Sequence, residues 1–422
     1  MRNSILKSLV ISSLFFLLGC EDDTPLEKLI PINFELIWQK SIGEFNKSEI
    51  VFSFIKTNDG GYMSSGNIWL NNSDTDISII KYNSSLEIIW EKIFKANNHD
   101  RGTNLIETSD GNFIVSGWTN STEGDIKSFN GSYDVFLLKF DGIGNTIWQK
   151  SYGGSQSEMT SNNSLIETKN GNLMVVGSSK SNNSDVKENF GGSDLWLINL
   201  KNNGEIIWER SYGGSKDDYG RQIIEYNGNY IVGFGSRSNN GDFLSSGNFI
   251  TLFDANGEIK WFTNLGGLNY GKTIIDKNGG FITLMATKDT GSKLEIVKTN
   301  ESGKSLWRSV FGGSKQEFPE DLIQLNDLSL IVLGLSKSND GDIGTNYGGD
   351  DVIVSKLNNR GKILGIKNFG GSKREWANII LETGKGEYLI NASTTSNNID
   401  VEQNYGDTGI DNWLFKIKEF PK

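Results

Sequence analysis

Apolar side chains occur along this chain in short runs, and residues that favour turns separate the runs. Runs of four to six residues that are rich in Ile, Val, Leu, Trp and Thr are typical of β-strands. In the clearest stretch the runs are Ser164–Thr168, Leu173–Ser178, Leu195–Leu200 and Glu205–Arg210. Asn170-Gly171 separates the first two runs and Asn202-Asn203-Gly204 the last two, and both segments are hairpin signals. The pattern predicts a four-stranded antiparallel meander.

This four-run unit recurs seven times along the chain. A Trp in the last run marks each unit, and a Leu takes its place in one of them. These anchors are Trp38, Trp90, Trp148, Trp208, Trp261, Trp307 and Leu364, spaced 46 to 60 residues apart. A single meander cannot bury both of its faces, whereas seven meanders packed radially around an axis can. The sequence therefore predicts an all-β fold, a seven-bladed β-propeller over residues 34–420.

The two ends of the repeat are out of phase in a complementary way. The first run, Leu36–Ser41, has the pattern of a fourth strand, and the last run, Trp413–Lys418, has that of a third strand. We expect the N-terminal strand to complete the last blade and to close the ring. Six or eight blades, or a β-helix, are the alternatives.

The repeated segment carries a recognisable motif. Its form is Trp-x-x-x-Tyr/Phe-Gly-Gly-Ser, then an acidic residue, then Gly-Asn or Gly-Gly before an apolar run, and Asp217-Asp218-Tyr219-Gly220 is its closest local match. This pattern is similar to that of the bacterial seven-bladed β-propeller repeat family. The resemblance covers about residues 34–420. It implies the architecture and no particular reaction, because one fold hosts many functions.

Composition narrows the chemistry. The 422 residues carry a net charge of −11, one His and one Cys. One Cys excludes a disulfide framework or a thiolate metal cluster, and one His excludes a multi-His metal site. The negative charge argues against a nucleic-acid partner, because phosphates attract stripes of Lys and Arg.

The first twenty residues look like an export signal. Arg2 and Lys7 precede a short apolar stretch that ends in Leu17-Leu18-Gly19-Cys20, which resembles the lipobox of bacterial lipoproteins. The resemblance implies a signal peptide over 1–19, acylation of Cys20 by chains such as palmitate, and a tether over 20–33. An ordinary signal peptide with an incidental Cys is the alternative.

The anchor predicts a location as well. Glu21-Asp22-Asp23 resembles an acidic tag that directs some lipoproteins to the cell exterior, although short acidic linkers are also common. We therefore expect a protein that is lipid-anchored in the outer membrane, faces the exterior and is monomeric. Several acyl chains would give lasting attachment.

An acidic residue follows the Gly-Gly turn in six of the seven units. These residues are Glu49, Asp100, Glu158, Asp218, Glu317 and Glu375, and Tyr270 replaces the acid in blade five. If they form a ring near the channel mouth, they suit Ca²⁺, which takes six to eight oxygen ligands. Otherwise each acid accepts hydrogen bonds from its own turn. Apart from Ca²⁺, the sequence predicts no cofactor.

A long loop in several units combines Asp, Asn and an aromatic residue. The aromatic residues are Phe129, Phe190, Tyr347 and Tyr405, and the fullest loop also contains Asp342 and Asp351. Rings that face solvent would form stacking platforms for a sugar, whereas rings that fold inward would fix the loops to neighbouring blades. The Asp residues suit either tight turns or calcium.

The sequence leaves three functions open. The leading one is a binding module for an extracellular glycan or partner protein. The second is an enzyme that acts on polysaccharide, with His99 as a weak candidate for the general base. His99 lies in a surface turn of the repeat, which is its alternative role. The third is a scaffold in a surface complex.

Overall fold

The computed structural model describes residues 31–43, 47–71, 74–127, 130–405 and 409–422. Within these ranges the regular elements are β-strands, arranged in seven four-stranded antiparallel sheets around one axis. The same ranges contain no helix that is long and apolar enough to cross a membrane. The predicted seven-bladed β-propeller is confirmed.

Each blade is a meander whose first strand is innermost, and the strand bounds are as follows. Blade one has β2 (Ser48–Lys56), β3 (Tyr62–Asn71), β4 (Asp74–Tyr82) and β5 (Ile88–Phe94); blade two has β6 (Asp100–Glu107), β7 (Phe113–Thr119), β8 (Asp134–Phe140) and β9 (Thr146–Tyr152); blade three has β10 (Glu158–Glu167), β11 (Leu173–Ser179), β12 (Asp194–Leu200) and β13 (Ile206–Tyr212); blade four has β14 (Asp218–Tyr226), β15 (Asn229–Ser236), β16 (Gly247–Phe253) and β17 (Ile259–Gly266). Blade five has β18 (Tyr270–Ile275), β19 (Phe281–Ala286), β20 (Leu294–Thr299) and β21 (Ser305–Phe311); blade six has β22 (Glu317–Gln324), β23 (Leu330–Ser336), β24 (Asp351–Leu357) and β25 (Ile363–Phe369); blade seven has β26 (Glu375–Gly384), β27 (Glu387–Thr394), β28 (Asp411–Pro421) and β1 (Ile32–Ile42).

The two ends of the repeat close the ring as predicted. Strand β1 pairs antiparallel with β28, with Leu36 opposite Ile417 and Ser41 opposite Trp413. Phe34 is fully buried in this seam and meets the Tyr388 ring edge-on at 6.3 Å. The N-terminal segment is therefore the outermost strand of blade seven.

The outer-strand Trp residues join neighbouring blades. The indole N–H of Trp90 donates to the Gly142 carbonyl at 3.1 Å, in the turn between the third and fourth strands of the next blade. Trp148 packs in the same way over Gly204, whose φ of +78° favours glycine. These indoles are half-buried between blades rather than enclosed in a core.

The innermost strands begin earlier than the sequence analysis predicts. In blade three we expected the first strand at Ser164, whereas β10 starts at Glu158. Every innermost strand contains a register shift at the equivalent point, such as Gly220/Gln222 in β14. In blade three the polar residues Ser161, Asn162 and Asn163 of the β-bulge interrupt the apolar run, and this is why the run marks only the second half of β10.

Candidate functional site: the central channel

All seven innermost strands line a central cavity of about 1220 Å³. Ser157, Lys180, Ser193 and Asn269 border it, and they lie in the connections between blades or between second and third strands. The mouth of the channel therefore opens on the face that carries these loops. Further along the strands the lining is aliphatic and includes Ile106, Ile166 and Ile323.

The side chains at the mouth differ from blade to blade. The bulges contribute Phe52, Thr103, Ser161, Arg221, Glu320 and Asn378, and the position two residues earlier contributes Arg101, Met159 and Tyr219. Residues that form hydrogen bonds within a blade recur in the repeat, because every blade needs those bonds. Residues that face the channel do not take part in them and can therefore differ. Non-repeated side chains that converge in a cavity are the usual mark of a ligand site.

Arg101 lies on an aromatic ring at one side of the mouth. Its guanidinium carbon is 3.9 Å from the centre of the Phe52 ring, which is a cation–π contact. The Nε atom is buried and makes no hydrogen bond to any residue that the structure describes. Burial lowers the pKa of Arg101, yet the group stays charged at neutral pH.

A second arginine lies across blade three from the first. Arg221 is in the bulge of β14, and its guanidinium is 5.9 Å from the centre of the Tyr219 ring. Its side chain is exposed, and it makes a long polar contact of 3.5 Å to the Ser161 hydroxyl. Burial lowers its pKa in the same direction as that of Arg101.

The wall between the two arginines is polar. In β10 the register shifts between Thr160 and Leu165, so that this bulge is two residues longer than the one between Gly220 and Gln222. Its residues Ser161, Asn162 and Asn163 line the cavity. The Thr160 hydroxyl also makes a 2.9 Å hydrogen bond with that of Thr103 in blade two. Blades two to four thus form a continuous arc, which we call the cationic arc: Arg101, Thr103, Ser161–Asn163 and Arg221.

The opposite wall carries acidic residues. Lys272 of blade five forms an ion pair with Asp321 of blade six at 2.5 Å, and Asp321 also accepts the Ile380 N–H at 3.0 Å. Neighbouring Glu320 faces the channel. Burial, with a contribution from the charge of Asp321, raises the pKa of Glu320 to about 8. Glu320 is therefore mostly protonated at neutral pH.

The repeated acids lie inside the blades. In blade three the Glu158 carboxylate accepts the Gly154 N–H at 2.8 Å and the Ser179 hydroxyl at 2.7 Å. In blade four Asp218 accepts the Gly214 N–H at 2.9 Å and the Ser238 hydroxyl at 2.8 Å. The acids of the other blades are buried as well: Glu49, Asp100, Glu317 and Glu375. None of the six is among the residues that line the cavity in the described part of the chain.

A second set of acids holds the long loops. Asp351, the first residue of β24, is buried and accepts the Tyr347 N–H at 2.6 Å, and Asp342 accepts the Gly312 N–H at 3.2 Å. Burial, together with nearby acids that include Glu375, raises the pKa of Asp351 to about 7. No group of three or more His, Cys, Asp or Glu residues that could hold a metal ion is found within the described ranges.

The remaining candidates lie outside the channel lining. Phe190 is 48% exposed and Tyr405 is 38% exposed on the loop-bearing face, while Tyr347 is half-buried. His99 is exposed, and its backbone N–H donates to the Asn120 side chain at 2.9 Å. Phe129 and Cys20 lie outside the described residues.

The residues of the cationic arc are not repeated, so the repeated polar motifs of the sequence do not point to them. The sequence does contain one signal for the arc, which is a difference in spacing between the repeated units. Seven positions separate Glu158 from Leu165, whereas five separate Asp218 from Ile223. Aligning the units in this way marks the longer bulge of blade three and shows that Arg101 and Arg221 lack counterparts in the other units.

Comparisons with known proteins support the architecture. No protein-family model matches the chain. Regulatory protein FlaEY of Caulobacter vibrioides is 26% identical over 186 residues, which are 41% of this chain and 19% of that protein. A solved structure of unknown function from Dyadobacter fermentans is 10% identical, covers 91% of this chain and 99% of its own, and has a TM-score of 0.50. Another, from Bacteroides caccae, is 15% identical, covers 72% of this chain and 99% of its own, and has a TM-score of 0.42.

These likenesses to solved structures concern the fold alone, and the chain spans about a fifth of the curated relative. The fold defines the class: the protein is a seven-bladed β-propeller, whose rigid ring suits a binding or scaffold module.

Proposed function

We propose that the chain is a surface-attached binding protein that captures an extracellular glycan at the mouth of its central channel. One observation carries this proposal. The channel gathers aromatic and polar side chains that do not repeat, whereas the remaining polar residues recur from blade to blade and hold the blades together. Glycans suit such a lining, because aromatic rings contact the apolar faces of sugars and polar groups orient their hydroxyls.

The capture site is tested by filling the mouth. Met159 lines the cavity and is 39% exposed, so Met159→Trp should obstruct the mouth without disturbing a core. Ile143→Trp is the matched control, because Ile143 is 75% exposed in a turn between third and fourth strands. We expect retention on a panel of immobilised polysaccharides by the native chain and the control, and its loss in Met159→Trp. Equal retention of all three proteins would refute capture at the mouth.

Attachment to the membrane is a separate part of the proposal. Its support is the lipobox-like segment that ends at Cys20 and the acidic residues after it. We expect Cys20→Ala to lose incorporation of labelled palmitate and to leave the membrane fraction. Protease treatment of intact cells should degrade the native protein if it faces the exterior, and protection from the protease would place it inside.

One observation favours an enzyme as a second candidate. Glu320 faces the same channel and is mostly protonated at neutral pH, as a general acid must be. If the chain cleaves polysaccharide, Glu320→Gln should abolish the release of new chain ends, whereas His99→Ala should leave it unchanged. Unaltered polymer length after incubation with the native protein would favour binding alone.

A further inference from the structure

We propose that the cationic arc recognises a carboxylate-bearing sugar, a uronic acid unit of an acidic polysaccharide. This inference rests on the proposed capture of a glycan at the channel mouth and names the chemistry of the ligand. It follows from two arginines that share one cavity and have no acidic partner there.

The cations of the arc differ from the fully buried cations of the described residues. Those four lysines are all paired with an acid: Lys81 with Asp59, Lys139 with Asp110, Lys298 with Asp276 and Lys356 with Glu419. By contrast, neither arginine of the arc forms an ion pair with a residue that the structure describes. Arg101 is half-buried and its Nε atom makes no hydrogen bond to a described residue, whereas Arg221 is exposed to the channel mouth. A half-buried cation such as Arg101 without a partner costs free energy, and an anionic ligand would recover that cost.

The geometry of Arg101 suits a carboxylate. A guanidinium offers a planar pair of N–H donors that matches the two oxygens of a carboxylate. The Phe52 ring fixes the plane of Arg101, because the guanidinium lies 3.9 Å above it. An arginine that is already held in position loses less side-chain entropy when it binds.

The rest of the lining favours a sugar as the carrier of the carboxylate. Asn162, Asn163 and Ser161 supply hydrogen-bonding groups between the arginines, and Trp118 and Tyr219 supply apolar ring surface. Glu320, being mostly protonated, adds little repulsion for an anion and has a proton to donate to a hydroxyl. An acidic peptide would use the arginines but would leave these hydroxyl-binding groups without a role.

The test compares an acidic polysaccharide with its uncharged ester and with an acidic peptide. Full-length protein is titrated calorimetrically with polygalacturonate, with its fully methyl-esterified form, and with polyglutamate. We expect binding to polygalacturonate that is at least about tenfold tighter than to the ester, which is the loss of one charged hydrogen-bonded contact. Polyglutamate should also bind more weakly, because it keeps the carboxylate but lacks the sugar hydroxyls. Binding should weaken as NaCl is raised, because the cavity is open to solvent.

Matched variants identify the residues responsible. Arg101→Gln and Arg221→Gln should each weaken binding by about tenfold and should reduce the preference over the ester. Arg210→Gln removes the same charge from outer strand β13, where Arg210 pairs with exposed Glu258, and should have no effect. Circular dichroism confirms that the variants are folded.

The outcomes separate this inference from the proposed function. Equal binding of the ester, or variants that bind like the native chain, would overturn the inference while capture of a neutral glycan stood. Tighter binding of polyglutamate would indicate an acidic peptide ligand and would also overturn it. If no polysaccharide is retained at all, both the recognition of a uronic acid and the proposed capture of a glycan are refuted.

Discussion

The Arg101 guanidinium lies over the Phe52 ring at 3.9 Å, so that a side chain of blade two rests on the innermost strand of blade one. We expect Phe52→Ala to weaken polyuronate binding, because Arg101 loses the surface that orients it, a contact of about 0.5–2 kcal/mol. Phe52→Tyr keeps a ring and should bind normally. Calorimetric titration of both variants tests this role, and normal binding by Phe52→Ala would contradict it.

The junctions between blades give a second prediction. Trp148 packs over the turn glycine Gly204 of the next blade. Because this indole is half-buried, we expect Trp148→Ala to lower the free energy of unfolding by about 2 kcal/mol, below the range for a fully buried Trp. Urea denaturation followed by circular dichroism measures the change. An effect below about 0.5 kcal/mol would show that the indole does not join the blades.

Leu364 provides the natural control for that prediction. It occupies the Trp position before blade seven, whose third and fourth strands come from opposite ends of the chain and share no connecting turn. Gly365 approaches the Ile32 backbone instead. Because Leu364 lacks a turn glycine to cover, Leu364→Trp should bring no gain in stability.

This relationship shows what the sequence could and could not predict. Repeat spacing and turn residues were enough for seven blades and for the closure of the ring, because both depend on local patterns. The sequence showed that Leu364 replaces the repeated Trp. The reason for this replacement depends on which strands become neighbours once the two chain ends have closed the ring. Likewise, Arg101 and Arg221 are 120 residues apart in the chain, and only the ring brings them into one cavity.

The pairs of buried acids make stability depend on pH. Burial, together with the charges of Asp218 and Asp242, raises the pKa of Asp194 to about 7, against about 3.9 in an unfolded chain. The folded state thus binds this proton more tightly. Binding of this proton therefore adds to the free energy of unfolding. This contribution is fully present below pH ~4 and is lost as the pH rises to about 7. The raised pKa of Asp351 makes stability fall with increasing pH in the same way.

We therefore expect the melting temperature to be higher at pH 5 than at pH 8. Asp194→Asn should raise it at pH 8 and change it little at pH 5. The Asn oxygen can still accept the Phe190 N–H, while its amide stands in for the protonated acid near Asp218. Thermal melts from pH 5 to pH 8 test this, and stability that increases with pH in that range would contradict it.

Calcium gives the last prediction, because the repeated acids remain its candidate ligands. In blade three the Glu158 oxygens already accept the Gly154 N–H and the Ser179 hydroxyl, and in blade four Asp218 accepts the Gly214 N–H and the Ser238 hydroxyl. Oxygens engaged in this way would have to give up those bonds to bind an ion. We therefore expect EDTA to leave the melting temperature unchanged, and saturating CaCl₂ to leave it unchanged as well.

The same contacts predict that Glu158 stabilises the fold without an ion. Glu158→Gln replaces one acceptor oxygen with an amide donor that faces the Gly154 N–H or the Ser179 hydroxyl, and should cost about 1–3 kcal/mol of stability with or without calcium. Glu123→Gln, at an exposed position, should cost nothing measurable. A melting temperature that rises by several degrees with CaCl₂ and falls again with EDTA would instead show binding to the folded state. Loss of that rise in Glu158→Gln would then assign the ion to the acids of the repeat.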